Sequence, residues 1–121
     1  METMPIPKEV RGQKYVCLTT FRKSGVGVVT PVWFAERDEK LYVKTRIDSG
    51  KSKRIRNNPS VRVAPCTIRG KIIGPEFAGT ATIVPLEQSG PAKEAINRKY
   101  LFARLSLWNS KNEYLEIEIA G

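Results

Sequence analysis

The 121-residue chain reads as one domain over residues 1–121, large enough to bury roughly two-thirds of its unfolded surface. It has no histidine and a formal net charge of +9, which excludes Ser-His and Cys-His nucleophilic catalysis and implies an anionic partner. No apolar run approaches the ~20 residues that span a bilayer, and Met1–Lys14 lacks the apolar core of a secretory signal, so the expectation is a cytoplasmic protein without a membrane partner.

Strand signals dominate the chain. Lys14–Thr20 is short and β-branched, Ser24-Gly25 supplies turn chemistry, and Val26–Phe34 reads as a second strand, so the pair predicts a hairpin. Pro31 interrupts the second run and marks an edge or a bulge, because proline cannot donate to a ladder. After a turn at Arg37–Lys40, Leu41–Thr45 predicts a third strand, with Leu41 and Val43 on one face and Tyr42 and Lys44 on the other. Ser49 is a good helix N-cap and Pro59 a stop, so Ser49–Asn58 predicts a short solvated helix whose one large apolar residue is Ile55. Val61–Thr67 and Glu76–Val84 predict strands four and five, with a turn at Ile68–Lys71 between them. Pro91–Leu107 predicts a longer helix with a core face made by Ala92, Ala95, Ile96, Tyr100, Phe102, Ala103 and Leu107. Asn112–Ala120 alternates cleanly and predicts a last strand with one wet face. About six antiparallel strands and two helices, with hairpins and no βαβ rhythm, predict a mainly β fold, a barrel with flanking helices. Cys17 and Cys66 lie in strands and read as buried, reduced thiols, without the spacing of a metal site.

The chemistry concentrates in one stretch. Between Lys44 and Lys71 the cations are Lys44, Arg46, Lys51, Lys53, Arg54, Arg56, Arg62, Arg69 and Lys71, and within that stretch only Asp48 opposes them. In Thr45–Arg54 a strand ends and a capped helix begins. A first helical turn presents unpaired N–H groups and partial positive charge. Gly50 permits close approach of an anion, Thr45 and Ser49 offer hydroxyls, and Lys51 and Arg54 share one helix face. A solvated basic helix, a nucleic-acid surface and a phosphate pocket all fit these residues. The strand–helix junction favours the pocket, and Thr45–Pro59 lacks the interleaved aromatics of a nucleic-acid groove. Thr30-Pro31-Val32-Trp33-Phe34 reads either as a core strand or as a distorted strand whose backbone borders a planar ring.

Taken together, Tyr15–Gly25, Thr30–Phe34, Leu41–Pro59 and Ala64-Pro65-Cys66 resemble the pyridoxamine 5′-phosphate oxidase-like superfamily, most closely its flavin/deazaflavin oxidoreductase branch that uses coenzyme F-420. The resemblance covers Lys14 to Leu105. It implies an FMN-binding-like split β-barrel and a homodimer with the cofactor at the interface. It also implies cofactor contacts from Lys44, Thr45, Arg46, Ser49, Gly50, Lys51 and Arg54 to the phosphate side, and from Pro31, Val32 and Trp33 along the ring. The cofactor, F-420 or FMN, would then carry the redox chemistry, and the protein would orient it. Related subgroups also bind haem or biliverdin, but a chain without histidine cannot supply a histidine haem ligand.

Three functions follow as expectations. The first is hydride transfer between a deazaflavin and a small organic redox substrate. The second is an FMN-binding oxidase-like protein or flavin carrier. The third is a nucleic-acid-binding barrel; the favoured reading has no nucleic-acid partner. No catalytic side chain is assigned; Tyr42, Tyr100, Lys44 and Arg69 are the available proton donors.

Overall fold

The computed structural model describes residues 5–100 and 112–120. Seven antiparallel strands form one sheet: β1 Tyr15–Phe21, β2 Gly27–Trp33, β3 Ala35–Arg37, β4 Lys40–Arg46, β5 Ser60–Cys66, β6 Phe77–Val84 and β7 Asn112–Ile119. Two helices accompany them, α1 Gly50–Asn57 and α2 Gly90–Lys99. The strand order is β2-β1-β5-β6-β7-β4-β3. The two edge strands, β2 and β3, are therefore consecutive in sequence, and Phe34 is the one residue between them. The sheet curls until β2 and β4 meet across the gap, which makes a split barrel.

Sequence reading gave about six strands. The additional one is β3, which pairs Ala35, Glu36 and Arg37 with Tyr42, Leu41 and Lys40. It is too short to show a period, and it merges with the turn that follows it. That turn, Asp38-Glu39, is a two-residue connection with φ of 52° and 61°, the doubly left-handed geometry suited to a hairpin.

Alternation puts two clusters on opposite faces of the sheet. Val16, Leu18, Leu41, Val43, Val61, Val63, Leu115, Ile117 and Ile119 fill the barrel. Ile55 of α1 closes one end, and Ile6 and Val10 of the N-terminal segment pack into the same core. On the outer face α2 packs Ala92 and Ile96 against Ala35, Tyr42 and Tyr114.

The sequence predicts one helix over Pro91–Leu107. The structure begins it at Gly90 and ends it at Lys99, because Tyr100 is the C-cap, with extended backbone at φ −120° and ψ 104°. Of the predicted core face, Ala92, Ile96 and Tyr100 are buried; Phe102, Ala103 and Leu107 lie outside the described residues.

Both strand prolines sit where no ladder bond is lost. Arg22 N donates to Val26 O at 2.9 Å. In an antiparallel pair bonded and non-bonded positions alternate, so Pro31, opposite Cys17, falls on a non-bonded position and faces the open edge. By the same parity Pro65, opposite Val16, turns its nitrogen away from β1.

Candidate functional site

The loop from β4 into α1 is built by its own side chains. Ser49 caps α1: its Oγ accepts from Ser52 N at 3.2 Å. Thr45 Oγ1 lies 3.1 Å from Ser49 Oγ, and the fully buried Ser52 donates its hydroxyl to Arg46 O at 3.0 Å. The hydroxyls of Thr45 and Ser49 thus shape the loop and satisfy one another. Arg46 turns outward and pairs with Asp48 at 3.1 Å.

Long-range pairing redistributes the basic cluster. Arg56 binds Glu113 at 2.8 Å and Arg62 binds Glu76 at 2.5 Å, carboxylates that are distant in sequence. Lys51 and Arg54 form no ion pair among the described residues. Burial, and then the nearby Arg54 charge, hold the Lys51 amine below its usual pKa. Arg54 Nε donates to Thr20 Oγ1 at 2.6 Å, and its guanidinium folds back over the start of α1. A Cβ on Gly50 would lie 2.7 Å from Arg54 Nη1. The Arg54 guanidinium therefore meets the open N–H groups of the first helical turn, which holds no acidic residue, and the Lys51 amine is near enough to feel its charge. That donor set fits a phosphate.

The other predicted residues separate into two places. Pro31, Val32 and Trp33 end β2 at the barrel gap. Val32 turns in toward the core, while Pro31 and Trp33 face outward. Lys44 lies on the outer face of β4, opposite Tyr114, where burial and Lys93 lower its pKa. It is not gathered with Lys51 and Arg54. Thr20 lies opposite Val28 on the hairpin, and Trp33 opposite Tyr15 at the other end of β1. Thr20 shares the inward face with Val16 and Leu18, and Trp33 faces outward.

Sequence reasoning missed Thr20. The signal was its parity with Val16 and Leu18, which points a hydroxyl into the barrel end. Of the candidate proton donors, Tyr42 is committed to Glu116 Oε2 at 3.0 Å and Tyr100 to backbone groups of Phe34 and Lys14. Burial pushes both phenols up to about 12.

The outer face beside the end of β2 carries exposed apolar side chains. Val29 and Trp33 of β2 lie on it, and the loop after β5 adds Ile68, Ile72 and Ile73, each at least half exposed. Gly70 of that loop approaches Pro31 and Cys17, and Cys17 Sγ donates to Gly70 O at 3.4 Å. Cys17 and Cys66 are both free and buried.

The family model of pyridoxamine 5′-phosphate oxidase matches residues 6–120. The chain belongs to this family. Solved structures agree in fold. The Atu2129 protein of Agrobacterium tumefaciens, described as of unknown function, is 16% identical with a TM-score of 0.77, over 90% of this chain and 49% of that one. Our chain thus spans about half the length of that relative. The haem storage protein HutZ of Vibrio cholerae is 13% identical with a TM-score of 0.74, over 92% and 84%. General Stress Protein 26 of Bacillus anthracis is 24% identical with a TM-score of 0.68, over 92% and 83%. At these identities the likeness is one of fold. No curated protein matches the chain. No helix among the described residues is long and apolar enough to cross a membrane.

Proposed function

We propose that this member of the pyridoxamine 5′-phosphate oxidase family is a cytoplasmic oxidoreductase. It holds a phosphate-bearing tricyclic cofactor, a deazaflavin of the F-420 type or FMN, and exchanges hydride with a small organic substrate. The observation that carries this reading is the pair Lys51 and Arg54, neither with a carboxylate partner among the described residues, with the Arg54 guanidinium folded over the start of α1. Lys51, Arg54 and the Gly50 backbone would hold the phosphate, with Ser49 and Thr45 fixing the loop. Pro31, Val32 and Trp33 would border the ring, offering edge backbone groups that β1 does not use. The bound ring would supply the two-electron chemistry. The protein side chains would bind and orient it, and the proton that completes reduction of the substrate would come from water. Arg46, on exchanging its Asp48 partner, and Lys44 would meet additional carboxylates on a longer cofactor tail.

A homodimer completes the proposal. The outward face with Val29, Trp33, Ile68, Ile72 and Ile73 lies beside the groove, and a second copy would cover it and wall the cofactor. The deciding experiment is a side-by-side titration with FMN and F-420. Micromolar or tighter binding of one supports the reading, and preference for F-420 selects the deazaflavin branch. Binding of neither, together with DNA affinity that falls about 10³-fold or more between 50 and 200 mM salt, would replace it with a nucleic-acid surface.

A further inference from the structure

We propose that Tyr100 is a positioning residue for the cofactor groove, which sets the Trp33 indole and the point where β2 leaves the sheet. The proposal rests on the cofactor reading above.

Trp33 is 42% exposed. An indole that exposed on a strand end has several rotamers open to it. Here it is stacked on Tyr100, with ring centroids 4.8 Å apart and planes 5° from parallel. The stack does little to bury the indole. What it does is fix the indole's orientation while leaving surface free.

The Tyr100 hydroxyl holds the neighbouring backbone. Phe34 is fully buried and lies in neither ladder, since Trp33 ends the pairing with β1 and Ala35 starts the pairing with β4. Its N–H and C=O need partners that no strand supplies. Tyr100 Oη supplies them: it accepts from Phe34 N at 3.2 Å and lies 2.6 Å from both Phe34 O and Lys14 O, to one of which it donates at a time. Its pKa near 12 keeps that proton in place at neutral pH. Lys99 adds a second hold, with Nζ 3.8 Å above the Phe34 ring.

Tyr100 is itself fixed as the C-cap of α2, its N–H donating to Ile96 O at 2.9 Å. The last turn of α2 thereby grips Phe34 and Trp33 together. The strand edge that would border the ring is set by a residue from the opposite end of the sequence.

The test uses the full chain carrying Trp108→Phe, which leaves Trp33 as the sole tryptophan. Into it go Tyr100→Leu, which removes ring and hydroxyl; Tyr100→Phe, which keeps the ring; and Ile117→Ala, which loosens the barrel core on the face of the sheet away from α2. Acrylamide quenching of Trp33 in the free protein reads its orientation. Titration with whichever of FMN and F-420 the parent binds reads the groove, and melting temperature reads stability. Tyr100→Leu is expected to raise quenching about twofold or more and weaken cofactor affinity about tenfold. Tyr100→Phe is expected to weaken it about three- to fivefold through the lost hydroxyl, and it carries the test where the leucine variant does not fold. Ile117→Ala is expected to melt earlier yet bind within about twofold of the parent. Unchanged Trp33 quenching in Tyr100→Leu, or equal loss of affinity in Ile117→Ala, would overturn the positioning role. So would unchanged affinity in both Tyr100 variants while Lys51→Ala weakens binding. If the parent binds neither cofactor, the functional reading falls and the affinity half of this proposal with it, while the quenching arm still decides what orients Trp33.

Discussion

Arg54 and Thr20 are joined by a 2.6 Å hydrogen bond across 34 positions of sequence, and that bond ties α1 to the end of β1. It also aims the guanidinium at the helix start, beside Lys51. The two cations should therefore respond differently to alanine. Lys51→Ala removes a charge with no ion-pair partner among the described residues, so cofactor affinity should fall about 10–100-fold, the value of one charge-assisted hydrogen bond, with a melting temperature near wild type. Arg54→Ala should lose similar affinity and also about 1 kcal/mol of stability, because Thr20 is fully buried. Calorimetric titration and thermal melts check both. Unchanged affinity in Lys51→Ala would remove the phosphate assignment.

Ser49 is the hub of the loop, with Ser52 N at 3.2 Å and the hydroxyls of Thr45 and Ser52 at 3.1 and 3.2 Å. Ser49→Ala should cost about 1 kcal/mol as a lost N-cap. It should also relax the loop, so that cofactor affinity falls along with stability. Ser49→Asp keeps the cap and adds a negative charge. It should melt near wild type and bind the cofactor worse than Ser49→Ala, which separates capping from anion recognition in one pair of variants.

The local parts of this architecture were legible in the sequence. Ser49, Gly25 and the alternation through β7 each express a preference within a few residues, and each appears where the pattern puts it. The basic stretch was legible as an anion site, but the pairing within it was not. Arg56 and Arg62 find Glu113 and Glu76 through the fold, and the bond from Arg54 to Thr20 turns that guanidinium back over the start of α1, which no spacing reveals. β3 escaped because three residues carry no period. The end of α2 escaped because Tyr100 prefers its contacts with Phe34 and Trp33 to another helical turn, a tertiary choice that spacing cannot reveal. Lys44 was assigned by its place in a motif, while strand parity already put it on the outer face.

The tyrosines give a pH prediction. Burial raises the phenols of Tyr42 and Tyr100 from the ordinary 10 to about 12, and raises Tyr114 as well. A pKa raised by folding stabilises the protonated form, so the contribution is whole below about pH 10 and is lost as pH climbs through about 12. Phenolate absorbance at 295 nm should therefore appear late and together with unfolding for these three of the four tyrosines. In urea they should ionise near pH 10. Early, reversible ionisation of all four in the folded protein would contradict the buried contacts.

Cys17 and Cys66 are buried at 2% and 3% exposure. Burial, with the Cys17 thiol beside it, pushes the Cys66 thiol up to about 12. The thiolate is the reactive species, so the folded protein at pH 8 should resist a thiol reagent and release both groups only on unfolding. Rapid labelling of one cysteine in the native state would mean that the Thr67–Ile73 loop opens over β1 more readily than its contacts suggest.

Asp38 and Glu39 both hold positive φ, a conformation that disfavours ordinary side chains by about 1–2 kcal/mol each, yet they are not equivalent. Among the described residues the one ion pair of Asp38 is an exposed 3.7 Å contact with Arg37, worth little. Glu39 Oε1 accepts from Ile6 N at 3.1 Å and from Arg11 Nη2, so it ties the N-terminal plug to the turn. Asp38→Gly should relieve strain at small cost and raise stability by about 0.5–1 kcal/mol after the entropy of glycine is counted. Glu39→Gly relieves the same strain but releases Ile6 and Arg11, so it should leave stability unchanged or lower. Thermal melts of the two variants side by side decide the matter. Equal stabilisation by both would show that the N-terminal segment is held by Ile6 and Val10 packing alone, without help from the turn.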